Sequence, residues 1–318
     1  MKKILSFKNS LWFFVTIIFT SVNTQVAKAQ FDESGNISME AGLNVGLMNC
    51  LTDVGGKPGV GGKFTKDLIW ANTHMAYGAY FVASYRNTIG LRLDATFGKV
   101  SAVDNPDNIK YDKPWTDFTQ IRQNRNLSFQ SKINEITLMA EFHPFGIIPA
   151  FINEEGTEPP VSPYLMGGIG FYSFNPQAEN KFGDMVDLQP LSTEGQGFSE
   201  YPDRKIYNLK QINLPMGIGV KFNISNAIRI RTEFVHRKLL TDYLDDVSTT
   251  YINTSAYRSN GFSDTQYFDA LEMNNREIVK YSVPGSKRGN PDNKDSYFTF
   301  NLKIGVNIAA LMGSGYAY

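Results

Sequence analysis

The sequence predicts an all-β fold: an eight-stranded antiparallel transmembrane β-barrel with long external loops. Three features predict it. Eight segments alternate apolar and polar residues. The connections between them vary in length in the way that external loops and periplasmic turns do. An export signal precedes the first segment.

The signal occupies residues 1–29, leaving 30–318 as the barrel domain. Lys2 and Lys3 give a basic start, Leu11 to Thr20 an apolar stretch, and Ala27-Lys28-Ala29 a small-x-small cleavage site before Gln30. That stretch is too short for a spanning helix, which takes about 20 residues. The residue directly after the cleavage site is Gln30 and not a cysteine, which argues against a lipid anchor.

The segments follow in order. In 37–48, Ile37, Met39, Ala41, Leu43, Val45 and Leu47 share one face. Segment 74–85 aligns Met75, Tyr77, Ala79, Phe81, Ala83 and Tyr85, and 88–98 aligns Ile89, Leu91, Leu93, Ala95 and Phe97. Segment 133–143 sets Ile136, Leu138, Ala140 and Phe142 against Glu135, Thr137, Met139 and Glu141. Segment 164–174 is glycine-rich and less regular. The pattern is strong again in 209–222, with Ile212, Leu214, Met216, Ile218, Val220 and Phe222. Segment 226–237 places Ile228, Ile230 and Phe234 opposite Arg229, Arg231, Glu233 and Arg237. The last, 296–308, aligns Phe298, Phe300, Leu302, Ile304, Val306 and Ile308. Apolar residues at every second place would spread around a helix instead of forming a stripe.

A soluble sandwich alternates too. The connections favour the membrane barrel: 49–73, 99–132, 175–208 and 238–295 are long, whereas 86–87 and 223–225 are tight and 144–163 is intermediate. With both termini in the periplasm, the four long links face outside. The charges on the polar face (Arg92, Asp94, Glu135, Glu141, Arg229, Arg231, Glu233 and Lys303) then point into the lumen. An eight-strand lumen is just filled by side chains, and opposite charges can pair across it.

Composition narrows the functional classes. The chain has 31 basic and 31 acidic residues. The signal holds Lys2, Lys3, Lys8 and Lys28 and no acid, so the mature remainder carries 27 − 31 = −4. That excludes the basic stripe of a nucleic-acid binder. One cysteine and three histidines leave no disulfide framework and little room for a metal cluster, so no cofactor is expected.

Several motifs have bland readings. Gly59, Gly61 and Gly62 lack the Lys-Ser/Thr ending of a phosphate loop and read as loop. Asp104–Asn108 and Asn290–Asp295 lack the ligand spacing of a calcium loop and read as turns. His74, His236, Asp242 and Ser248 carry no local catalytic signature.

Two segments are candidate partner surfaces. The link 144–163 combines Ile147, Ile148 and Phe151 with Glu154 and Glu155, which fits either docking of a periplasmic protein or a plug for the barrel end. In Arg237–Tyr251, Leu240, Tyr243, Leu244 and Val247 have helical spacing. Asp242, Tyr243, Asp245 and Asp246 are its partner-facing candidates, on a short helix capping the mouth.

The core Thr-Asp-Tyr-Leu-Asp-Asp-Val-Ser of that segment resembles the PorG-like outer-membrane barrel family. So do Glu40-Ala-Gly-Leu-Asn-Val-Gly-Leu47, Leu51-Thr-Asp-Val-Gly55 and Pro215-Met-Gly-Ile-Gly-Val-Lys-Phe222. The resemblance implies an outer-membrane component of the type IX secretion system of Bacteroidota, associated with the periplasmic ring of PorK- and PorN-like proteins. It implies a non-enzymatic anchor or assembly factor, with no catalytic residues and no cofactor. A passive pore, a rim enzyme and a surface adhesin are the competing expectations.

Overall fold

The computed structural model describes residues 37–56, 69–104, 117–148 and 159–308, the side chains of 117–120 excepted. The expected signal at 1–29 and Gly59, Gly61 and Gly62 lie outside these residues, as do 105–108, Phe151, Glu154 and Glu155. Residues Ser38–Tyr318 group as one compact unit.

Eight long strands build the wall: β1 Ile37–Leu51, β2 His74–Tyr85, β3 Ile89–Val103, β4 Ser128–Phe142, β5 Val161–Ser173, β8 Lys210–Asn223, β9 Ile228–Leu239 and β10 Ser296–Asn307. The sheet order runs β3-β2-β1-β10-β9-β8-β5-β4, and an additional β3–β4 pairing closes it into a ring. Two short strands, β6 Pro176–Glu179 and β7 Met185–Asp187, form a hairpin appended to β4. Among the described residues three α-helices lie in the long links: α1 Asp117–Arg125, α2 Ser255–Ser259 and α3 Asp264–Asn274.

The pairing explains where the strands outrun their alternating segments. All fifteen residues of β3 pair with β4, from Ile89↔Phe142 to Val103↔Ser128. At the loop end Val100, Ala102 and Phe129 are buried, and the ladder continues beyond the exposed apolar belt. The tight turns sit at the other end. Arg86 and Asn87 both have positive φ (48° and 50°), and the Thr88 amide donates to the Tyr85 carbonyl at 3.0 Å. This is the geometry that matches strand twist in a two-residue hairpin. Between β8 and β9, Ser225 Oγ accepts from the Ile228 amide at 3.0 Å.

The alternation sorts the two faces. Leu43, Tyr77, Leu91, Phe97, Ile136, Leu165, Phe171, Ile218, Phe300 and Ile304 point outward and are exposed. Charged and glycine positions point inward. Gly168 and Gly217 face neighbouring backbone so closely that a Cβ would lie within 2.0 and 2.4 Å of a carbonyl oxygen, which shows how tightly β4–β5 and β8–β9 approach.

Candidate functional site

Two stacked polar assemblies occupy the barrel interior, and a third lies in the long links above it.

The first assembly lies deep in the lumen. Arg92, fully buried, reaches Asp94 at 2.9 Å, Glu141 at 2.8 Å and Glu233 at 2.6 Å. Arg231, also fully buried, reaches Glu40 at 2.7 Å and Glu141 at 3.1 Å. Lys303 binds Asp94 at 2.7 Å and Glu233 at 3.2 Å. The ring faces of Tyr80 and Tyr164 flank the Arg231 guanidinium at 5.6 and 5.3 Å. Tyr80 donates its hydroxyl to Glu40, and His143 closes the turn end against Glu141 at 3.0 Å. These residues come from β1, β2, β3, β4, β5, β9 and β10, so the network ties the ring together across its diameter. Every ion has at least one opposite partner, and Glu40, whose one ionic partner is Arg231, also accepts from the Tyr80 hydroxyl; pairing of this kind is the condition under which buried charges persist.

The second assembly lies nearer the loop end. Arg237 pairs with Glu135 at 3.0 Å and donates to Thr299 Oγ1 at 2.6 Å. Tyr297 and Asn213 both donate to Glu135, at 2.9 and 2.7 Å.

Above it the long links fold over the mouth as a cap with its own core. Leu188, Leu191, Phe198, Tyr207, Leu244, Val247, Tyr257 and Met273 are buried in one cluster with Met48, Val100 and Tyr172 of the wall. Buried ions organise the cap. Arg125 grips Asp104 with two nitrogens, at 2.8 and 2.7 Å, and donates to the carbonyls of Asp53 and Arg288. Arg288 pairs with Glu194 at 2.9 Å, and Glu194 in turn accepts from the Ser248 and Thr249 amides.

The structure corrects the reading of 237–251. Asp242, Asp245 and Asp246 are each at most 2% exposed, so they face the cap interior and not a partner; Tyr243 is half-buried and stacks on Tyr207 at 4.8 Å. The segment after β9 is a run of turns and not a helix. Aspartates explain why: two of the segment's amides, those of Val247 and Leu244, are taken by Asp245 and by Asp295 instead of by helical carbonyls. Asp245 also accepts from the Val54 amide. Asp246 accepts from the Tyr207 hydroxyl at 2.7 Å.

The acids outnumber the bases here. Burial pushes Asp53 up to about 6, with the Glu194 charge adding to it. Burial pushes Asp242 to about 7, reinforced by Asp53 and Glu194, and Asp246 to about 6. Asp245 lies well above the usual carboxylate range through burial and the charge of Asp53, and Asp295 through burial and the charges of Asp245, Asp242 and Asp53. The Ser248 hydroxyl is within reach of Asp242, yet neither carboxylate oxygen has a hydrogen bond of regular geometry. No group of three or more histidine, cysteine or carboxylate side chains among the described residues is arranged to hold a metal ion.

The remaining candidates scatter. Ile147 and Ile148 are exposed, not tucked into the barrel end. His74 contacts Ser101 Oγ at 2.6 Å on the β2–β3 rim, and His236 sits on the outward face of β9, so no catalytic grouping forms. Arg92, Asp94, Glu135, Glu141, Arg229, Arg231, Glu233 and Lys303 all lie buried on the inward face. Glu40 and Arg237, left out of that lumen set although their strand parity already puts them on the polar face, join them. Arg125, Arg288 and Glu194 carried no periodic signal.

No protein-family model matches the chain, and no curated protein is similar to it. Three solved barrels illustrate its structural neighbours. Ail of Yersinia pestis is 11% identical, covering 85% of this chain and 99% of its own, with a TM-score of 0.34. OprG of Pseudomonas aeruginosa is 11% identical over 86% and 95%, with a TM-score of 0.35. OmpW of E. coli is 12% identical over 86% and 97%, with a TM-score of 0.30. None of these likenesses bears on function, and the closed eight-strand barrel stands on its own strand pairing.

Proposed function

We propose that the protein is a non-conducting, non-enzymatic barrel of an outer membrane, serving as an anchor on which other proteins assemble. One observation carries this reading: the lumen is closed by salt bridges among fully buried ions, beneath a packed cap. A pore would need a continuous wet path, and Arg92, Arg231 and Lys303 occupy it. The outward belt of large apolar residues fits hydrocarbon, and the long links then face outside.

The sequence resemblance supports a finer role, in which the barrel anchors a type IX-like secretion machine through PorK/PorN-like ring proteins. On this reading Ile147 and Ile148 give the link 144–163 an exposed apolar edge, and Phe151, Glu154 and Glu155 follow them in the sequence. The cap, at the opposite end of the strands from the link, faces outside on this reading.

Two measurements test the reading. The purified protein in planar bilayers should give no stable single-channel conductance, and any reproducible open level removes the sealed-anchor role. Cross-linking in the native envelope should recover periplasmic ring components, and Ile147→Asp/Ile148→Asp should abolish that recovery. Loss of nothing but surface adhesion on deletion would leave a generic barrel.

A further inference from the structure

The ionised side chains of the eight wall strands are distributed by sign. Every acid (Glu40, Asp94, Glu135, Glu141 and Glu233) is buried on the inward face. The ionised residues that point outward are all lysines: Lys99 on β3, Lys132 on β4, Lys210 on β8 and Lys238 on β9. All four stand toward the loop end, just past the apolar belt. On β3 the outward row passes from Leu93 and Phe97 to Lys99, and on β4 from Leu138 and Ile136 to Asn134 and Lys132.

The register sharpens this. Lys99 and Lys132 are direct cross-strand partners. Like charges directly opposite each other destabilise a sheet unless something neutralises them. No carboxylate does so: none of the four lysines forms an ion pair among the described residues, and Lys99 donates only to the Gln130 amide oxygen at 3.1 Å. The pair therefore presents two ammonium groups, with Gln130 and Asn134 beside them, above exposed Phe97 and Ile136.

We propose that this shelf binds the phosphate groups of an anionic glycolipid in the outer leaflet, with Lys99 and Lys132 sharing one phosphate and the apolar rows below receiving its acyl chains. Phosphate suits the site because one compact anion can accept from both ammonium groups. The charge stands directly over an apolar wall, which matches an amphiphile better than free phosphate. The inference rests on the outer-membrane reading and adds the chemistry of the surrounding lipid to it.

The test uses the full mature chain in detergent, titrated with a diphosphorylated disaccharide glycolipid and followed by native mass spectrometry. The dephosphorylated glycolipid and inorganic phosphate serve as separate probes. Bound phosphorylated lipid should exceed its dephosphorylated counterpart by about tenfold in apparent affinity. Lys99→Gln/Lys132→Gln should remove most of that preference, while Lys181→Gln on the cap should not. Equal binding of the two lipids overturns the proposal, as does equal occupancy by inorganic phosphate or an unaltered preference in the double variant. A heat-modifiable gel shift of each variant shows that the barrel is closed. A chain that fails that assay and stays in the aqueous extract refutes the outer-membrane reading itself, whereas one that passes it and ignores the phosphates refutes only this inference.

Discussion

The lumen and the cap both bury charge densely, and they settle it in opposite ways. In the lumen Arg92, Arg231 and Lys303 stand among Glu40, Asp94, Glu141 and Glu233, and each acid contacts a cation at 3.2 Å or less. In the cap Arg125 is committed to Asp104 and Arg288 to Glu194, which leaves Asp53, Asp242, Asp245, Asp246 and Asp295 to backbone amides, hydroxyls and protons. The difference follows from construction. Strands with fixed register deliver opposite charges to one point from across a ring. Loops instead deliver short side chains back to their own backbone. A balanced network should be stiff and indifferent to pH near neutrality, and an acid-rich one should respond to protons.

The largest effect tests the balanced half. Arg231→Met removes the partner of Glu40 and one partner of Glu141, leaving carboxylates buried without compensation. Such a break costs about 3–5 kcal/mol. Urea unfolding in detergent, followed by the heat-modifiable gel shift, should show this loss. A variant as stable as the parent would mean that the ions do not clamp the ring.

Arg125→Ala should come next. It strips two bonds from Asp104 and two from backbone carbonyls. A loss of about 2–4 kcal/mol is expected for a buried charge left unpaired. Hydrogen exchange should rise in 53–56, 122–127 and 286–290 while the wall strands stay protected. Uniform exchange throughout would show that cap and wall unfold as one unit.

The acid-rich half carries the pH dependence. Asp53, Asp242 and Asp246 hold protons more tightly folded than the ordinary 3.8, at about 6, about 7 and about 6. The folded cap therefore binds more protons than the unfolded chain, and its stability falls as pH rises from about 4 to about 7. Asp242→Asn keeps the shape and removes one such charge. It should raise the cap's unfolding free energy at pH 8 by about 1–2 kcal/mol and leave it nearly unchanged at pH 4. A cap that instead stabilises with rising pH would contradict the protonated cluster.

The same contrast explains what was legible in the sequence. The wall was readable because a strand with one apolar face repeats every second residue, so Leu91, Leu93 and Phe97 or Ile212, Leu214 and Met216 announce both the strand and its orientation. Parity alone also put Arg92, Glu233 and Lys303 inside. The cap was not readable. Phe198, Tyr207, Leu244 and Tyr257 converge from separate links with no shared period, and long polar links read as solvated. Arg125 meets the Arg288 carbonyl across 163 residues, a contact no local pattern announces. The helical spacing of Leu240 to Val247 misled because it counted apolar positions and ignored that aspartates compete for the backbone.

The smallest effect sets the baseline for both halves. Arg258 and Asp264 form an ion pair at 2.7 Å, the same length as Arg231–Glu40 in the lumen, but with side chains 48% and 80% exposed. Distance alone would rank it with Arg92–Glu141. Water already solvates both partners, so the Coulomb gain is small and ordering two side chains offsets much of it. Arg258→Ala should therefore change stability by less than about 1 kcal/mol, including the loss of its position 4.0 Å over the Tyr267 ring. A larger loss would show that α2 and α3 depend on this surface contact, and that the cap's strength lies in its edges and not in its buried ions. A negligible loss, set beside a collapse in Arg231→Met, would assign the difference to burial, since the chemical groups and the distance are the same.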